Sequence, residues 1–197
     1  MNYDIEMNKI INSLKDKPTL LLHSCCAPCS TTCIERLKDY FDITILYYNP
    51  NIEPYEEYDK RKQEQIRIIK QYGIKYLDCD YDNDLFHKKV FGYESEPEKG
   101  LRCHICYRMR LDYTALKAKE NNFSYFGTTL TVSPYKLSKI INEIGIDFET
   151  KYNIKFLMSD FKKNEGYKKS IELSKKYGLY RQNYCGCIYS KRRDINE

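Results

Sequence analysis

Tryptophan is absent from the 197 residues, and no stretch approaches the ~18 apolar residues that a membrane helix needs. The first residues, MNYDIEMNKIINSLKDK, are charged and helical in pattern, so no secretory signal is expected there. No G-x-G-x-x-G or Walker loop occurs, which removes the usual support for dinucleotide or P-loop nucleotide binding. Internal repeats and low-complexity linkers are missing too. An apolar fraction of 42% with 31% charged residues excludes a disordered chain. The length suits one α/β domain with a sizeable core, expected over residues 1–197 and in the cytoplasm.

Cysteine is the residue in excess, at nine. A cytoplasmic chain does not rely on a disulfide framework, and these cysteines are grouped. Cys25, Cys26, Cys29 and Cys33 form one cluster, Cys103 and Cys106 a second, Cys185 and Cys187 a third, with Cys79 alone as a loop thiol. Three clusters far apart in sequence predict one site assembled by folding. The first lies in TLLLHSCCAPCSTTC, where a buried strand over 19–23 gives way to a helix that holds Pro28 in its first turn. Helix N-termini favour anions, so thiolates are favoured at such a turn. Cys33 continues an apolar helical stripe with Leu37 and Tyr40 and reads as core.

Strand and helix patterns alternate along the rest. Helices are predicted near 4–15, 27–40, 54–72, 85–90, 102–121, 133–148 and 165–177, and strands at 19–23, 43–48, 74–77, 123–128 and 154–158. Tyr58, Gln65, Ile66 and Ile69 take core spacing on the third helix, with Lys60, Arg61, Lys62 and Arg67 on its charged face. Ser133-Pro134 is the expected start of the sixth helix. The polar segment before residue 101, with Gly92, Pro97 and Gly100, reads as a loop able to cover the site. The alternation predicts a doubly wound, mostly parallel, Rossmann-like sheet, with strand ends near 24, 49, 79, 129 and 159 along one edge.

Two constellations carry chemistry. Cys103-x-x-Cys106 opens a helix that can face Cys25 and Cys26. Four thiolates from two places match a zinc site or an iron–sulfur cluster, and adjacent cysteines make a poor zinc knuckle, which favours the cluster. Cys185-Gly-Cys187 reads as a redox-active dithiol, because a disulfide spanning one residue is strained and easily reduced. His23 is either a proton shuttle or a satisfied core histidine; His104 is expected to point outward and Asp160 to cap a helix. The net charge of +5, with Arg61, Arg102, Arg110 and the run Lys191-Arg192-Arg193, fits an anionic partner.

Taken together, His23-x-Cys-Cys-Ala-Pro-Cys29, Tyr48-Asn-Pro-Asn-Ile52, Arg102-Cys-x-x-Cys-Tyr-x-x-Arg-Leu111, Thr128-Thr-x-x-x-Ser-Pro-Tyr-Lys136 and Tyr184-Cys-Gly-Cys-Ile-Tyr-Ser190 resemble the cobalamin-independent epoxyqueuosine reductases of the QueH type. The resemblance covers residues 19–190. It implies an adenine-nucleotide α-hydrolase-like fold whose pyrophosphate loop is replaced by Ser24-Cys-Cys-Ala-Pro-Cys29. It implies a reductase that turns epoxyqueuosine at the tRNA wobble position into queuosine, fed by an external one-electron donor. On this resemblance Cys25, Cys26, Cys103 and Cys106 would hold a [4Fe–4S] cluster. Cys185 and Cys187 would form the redox disulfide, and Cys29 could serve a second metal ion, iron or zinc. The other readings are a zinc-stabilised nucleic-acid binding module and an ATP-dependent tRNA thiolase, the latter disfavoured by the missing pyrophosphate loop.

Overall fold

Five strands run parallel in the order β3-β2-β1-β4-β5. They are β1 Thr19–His23, β2 Asp42–Leu46, β3 Lys75–Leu77, β4 Tyr125–Thr128 and β5 Lys155–Phe156. The computed structural model describes residues 1–191, so Arg192 and Arg193 of the basic run lie outside the described residues. The helices are α1 Tyr3–Ser13, α2 Ala27–Leu37, α3 Tyr55–Tyr72, α4 Asn83–Val90, α5 Leu101–Glu120, α6 Ser138–Tyr152 and α7 Gly166–Lys176. Among the described residues no helix is long and apolar enough to cross a membrane.

The central strand explains the two-sided core. Leu20 and Leu22 of β1 point to one face of the sheet, where α1, α2 and α3 supply Met7, Ile11, Cys33, Ile34, Leu37, Ile68 and Ile69. Leu21 points to the other, with Leu111, Ala115 and Ala118 of α5 and Ile141, Ile144 and Phe148 of α6. A strand covered on both faces reads as a continuous apolar run, which is why Leu20-Leu21-Leu22 shows no alternation. Cys33 is a core residue, as its stripe predicts.

Four local expectations are corrected. Tyr40 lies past the end of α2 and is exposed. Ile68, rather than Ile66, joins Ile69 in the core. Arg61 is buried, not on an outer face, because Glu57 one turn earlier meets its Nε at 2.7 Å. The sixth helix begins at Ser138, four residues beyond Pro134; Ser133 to Lys136 form a turn in which Lys136 N–H donates to the Ser133 carbonyl at 3.2 Å.

Candidate metal and thiol centre

β1 pairs with β2 on one side and β4 on the other, and their connections leave in opposite directions. That is the switch point of a doubly wound sheet, where the carboxyl ends open a crevice. The turn after β1 forms one wall. Ser24 N–H extends the ladder to Leu46 O at 2.8 Å, its hydroxyl donates to Gln65 Oε1 at 2.6 Å, and Asn49 Nδ2 donates to its carbonyl at 2.9 Å. The chain then turns into α2, with extended Cys26 at the N-cap and Pro28 in the first turn. This short turn brings the sulfurs of Cys25, Cys26 and Cys29 within 4.8 Å of one another.

Three thiols so close cannot all ionise alike. Cys26 and Cys29 donate to Cys25, and with help from Arg110 and Lys136 they hold its pKa well below the ordinary thiol range despite burial. In return the hydrogen bond to Cys25 pushes Cys26 up to about 12 and Cys29 well above its usual value. One anionic sulfur flanked by two donors is a set ready to lose protons to a metal.

Of the remaining clustered thiols, Cys185 lines the same crevice. Cys103 and Cys106 sit in the opening turns of α5, and Cys106 packs in one apolar cluster with Cys185 and Cys187. Burial raises the pKa of both α5 thiols. Cys185 is driven well below the ordinary value, first by the Cys187 thiol donating to it and then, against burial, by Lys136; its sulfur lies 2.9 Å from Ser190 Oγ. Gly186 between them has φ +101°, and a Cβ there would stand 2.6 Å from Ile52 Cγ1 and 3.0 Å from Arg61 Nη1. Only glycine suits that backbone. The thiols therefore form two groups. Cys29 stands with Cys25 and Cys26, as their grouping in the sequence suggests, while Cys103 and Cys106 lie outside that triad, with Cys106 on the dithiol side.

The other candidates have structural duties. His23 is fully buried: the Thr128 hydroxyl donates to Nδ1 at 2.9 Å and Nε2–H donates to Tyr48 O at 3.0 Å. Burial, then Arg110, drops its pKa to about 3, so it is the satisfied core histidine and not a shuttle. Arg102 donates to the carbonyls of Tyr93, Glu94 and Glu96, tying down the loop before α5. Arg110 donates to Asn49 Oδ1 and contacts His23 and Cys106. Buried and engaged, Arg61, Arg102 and Arg110 are not free phosphate contacts, contrary to expectation. Asp160 Oδ1 accepts from the Ser138 hydroxyl at 2.9 Å and pairs with Lys162, a link between elements instead of a helix cap. His104 is half-buried with Nε2 out of solvent contact, so it does not point outward. Cys79 donates to Tyr47 O at 3.4 Å, away from either group.

Between the walls lies a cavity of about 250 Å³, lined by Cys25, Cys26, Cys29, Arg110, Lys136 and Cys185 among others. Tyr135 and Tyr167 stand on its wall as partly exposed rings. Lys136 and Thr129 belong to the Thr128 to Lys136 motif after β4, but the sequence assigns them no role in the site. Their signal was position: both follow β4, the strand that pairs with the cysteine-bearing one.

Fold and site define an open α/β protein that gathers thiols at its sheet switch point. The sequence profile described as "Epoxyqueuosine reductase QueH" matches residues 20–193. The chain is 44% identical over 201 residues to the epoxyqueuosine reductase QueH of Staphylococcus epidermidis, covering 96% of this chain and 84% of the relative. It is 36% identical to that of Thermotoga maritima, covering 87% and 90%. The chain belongs to the QueH epoxyqueuosine reductase family. In solved structures its fold resembles the U34-tRNA thiolase NcsA from Methanococcus maripaludis with its [4Fe-4S] cluster, at TM-score 0.61 and 14% identity, covering 96% of this chain and 67% of the thiolase. A predicted tRNA methyltransferase subunit from Methanocaldococcus jannaschii matches at TM-score 0.53 and 16% identity, covering 81% of this chain and 74% of that one. These likenesses agree with the expected adenine-nucleotide α-hydrolase-like fold.

Proposed function

We propose that this protein reduces epoxyqueuosine in tRNA to queuosine, removing the epoxide oxygen as water. Family membership supports the reaction, and one observation supports its chemistry here: a thiol triad and Cys185 of a second thiol pair face one cavity. Removing an epoxide oxygen as water takes two electrons and two protons. Cys185 and Cys187 can supply both electrons on closing a disulfide, with Cys185 entering as the better nucleophile, one proton coming from the Cys187 thiol and the second from solvent.

Three sulfurs within 4.8 Å on a helix N-cap turn fit the donor set of an iron–sulfur cluster. Cys25, Cys26 and Cys29 would hold it, with Cys106 packed beside the dithiol. When bound, such a [4Fe–4S] cluster supplies single electrons from an external donor, the currency needed to restore the dithiol. The chain's own residues do the rest. Thr129 orients Cys25, Arg110 and Lys136 offset thiolate charge, and Tyr135 and Tyr167 offer rings on which a splayed base can stack. A tRNA substrate sets the reaction in the cytoplasm.

The test is anaerobic purification with iron, zinc and labile sulfide analysis, followed by nucleoside analysis of tRNA carrying epoxyqueuosine after incubation with a one-electron reductant. Iron, sulfide and conversion to queuosine are expected. Zinc alone, without conversion, would point to a binding module. Iron lost in Cys103→Ala but kept in Cys29→Ala would move the cluster to the four-cysteine set Cys25, Cys26, Cys103 and Cys106.

A further inference from the structure

Among the described residues three cations line the cavity: Arg110, Arg181 and Lys136. Arg110 is buried and engaged with Asn49, His23 and Cys106. Arg181 is exposed, and its Nη1 is held by Ser170 O at 3.1 Å and Ser174 Oγ at 3.0 Å. Lys136 differs from both. It is half-buried, its ammonium makes no hydrogen bond or ion pair to any described residue, and it lines the cavity together with Cys25 and Cys185. Glu98 is the one carboxylate among the described lining residues, and it is not among the groups acting most strongly on Lys136. Its side chain thus offers ammonium N–H donors to whatever enters the cavity.

An epoxide oxygen that loses its carbon partners gathers negative charge, and a fixed cationic donor in an enclosed site is the strongest stabiliser of such charge. The geometry points to Lys136 as the catalytic residue that binds the epoxide oxygen and holds its charge while the carbon–oxygen bonds break. This rests on the reductase reading above. In the step both C–O bonds break, a C=C bond forms, and the oxygen leaves as water. The two electrons come from Cys185 and Cys187 as they close a disulfide, one proton comes from the Cys187 thiol and the other from solvent, and Lys136 ends as it began, an ammonium.

The experiment compares anticodon stem-loop RNAs carrying epoxyqueuosine or queuosine. Binding is measured in a Cys187→Ala background without an electron donor, so that no turnover intervenes. The Cys187→Ala protein should prefer the epoxide RNA by about 10-fold or more, the scale of one charge-assisted hydrogen bond. Adding Lys136→Met should erase that preference and leave affinity for the queuosine RNA unchanged. In the otherwise wild-type protein, Lys136→Met should lower kcat by about 100-fold or more with iron and sulfide content intact, and Lys136→Arg should recover part of it. Lys136→Met that keeps both the preference and kcat overturns the inference. If Lys136→Met fails to fold, Lys136→Gln and Lys136→Arg decide it: equal activity in the two, without and with the charge, sinks it. A wild-type protein that neither binds nor reduces the epoxide RNA refutes the reductase reading itself.

Discussion

Thr129 and Cys25 hold each other across the switch point of the sheet: Cys25 N–H donates to Thr129 Oγ1 at 3.1 Å, and the same hydroxyl donates to Cys25 Sγ at 3.4 Å. One buried hydroxyl thus joins the loop after β4 to the turn after β1. Thr129→Val keeps the shape, removes both bonds and strands a backbone N–H. It should cost roughly 2 kcal/mol and lower the melting temperature by ~4–8 °C. Thr129→Ser should restore most of it. A thermal melt of the three proteins decides.

Cys29 and Cys33 lie one helical turn apart yet have opposite fates. Cys33 is fully buried among Leu37, Ile34 and their neighbours, so Cys33→Ala should cost ~1 kcal/mol of stability and leave iron per chain unchanged. Cys29→Ala should strip iron and sulfide with little change in the melt of the metal-free protein. Equal iron in both variants would detach Cys29 from the metal.

Gly186→Ala adds a methyl group where φ is +101° and Ile52 stands in the way. About 1–3 kcal/mol of strain follows, focused on the segment carrying Cys185 and Cys187, which is anchored by Gly186 O accepting from Glu53 N–H at 3.0 Å. Turnover should fall at least tenfold while the iron content holds. Retained turnover would show that the dithiol tolerates another backbone.

Glu64 ties the same segment to α3. Its carboxylate accepts from Arg67 and from Tyr180 N–H at 2.9 Å, and Arg67 above all, then the Tyr180 N–H, lowers its pKa against burial. A depressed carboxyl contributes stability above its unfolded pKa, and that contribution disappears as pH falls through the folded value. Glu64→Gln should therefore melt roughly 2–4 °C lower at pH 7, with the gap narrowing as pH falls below the unfolded carboxyl value of about 4.3 and closing once pH is below the lowered folded value. A gap that persists in acid would assign the effect to lost packing.

The parallel sheet was legible because apolar runs such as Leu20 to Leu22 alternate with helical stripes, and the thiol grouping because cysteine spacing is visible without a fold. Partnerships were not. Arg61 and Arg110 look like surface charges until Glu57 and Asn49 are found beside them in three dimensions. Ser133-Pro134 has good capping chemistry, yet Lys136 is drawn toward the thiols and α6 waits until Ser138. That Cys25, Cys26 and Cys29 bring their sulfurs within 4.8 Å while Cys33 turns into the core depends on the backbone angles set by Pro28 and the extended Cys26, which spacing alone does not give.

The sheet order has a consequence for how the chain is made. β1 is the first strand synthesised and the central one, yet its partner on one side is not complete until residue 128. A chain halted before Tyr125 can pair β1 with β2 and β2 with β3, while the other edge of β1 stays open beside the Cys25–Cys26 turn. Joining such distant segments is a slow, late event in folding. The triad therefore leaves the ribosome with its thiols close in sequence but without Thr129, Lys136 or the dithiol, and cluster insertion should be productive only on chains completed through Cys187. Ribosome-held fragments of increasing length should acquire iron in one late step.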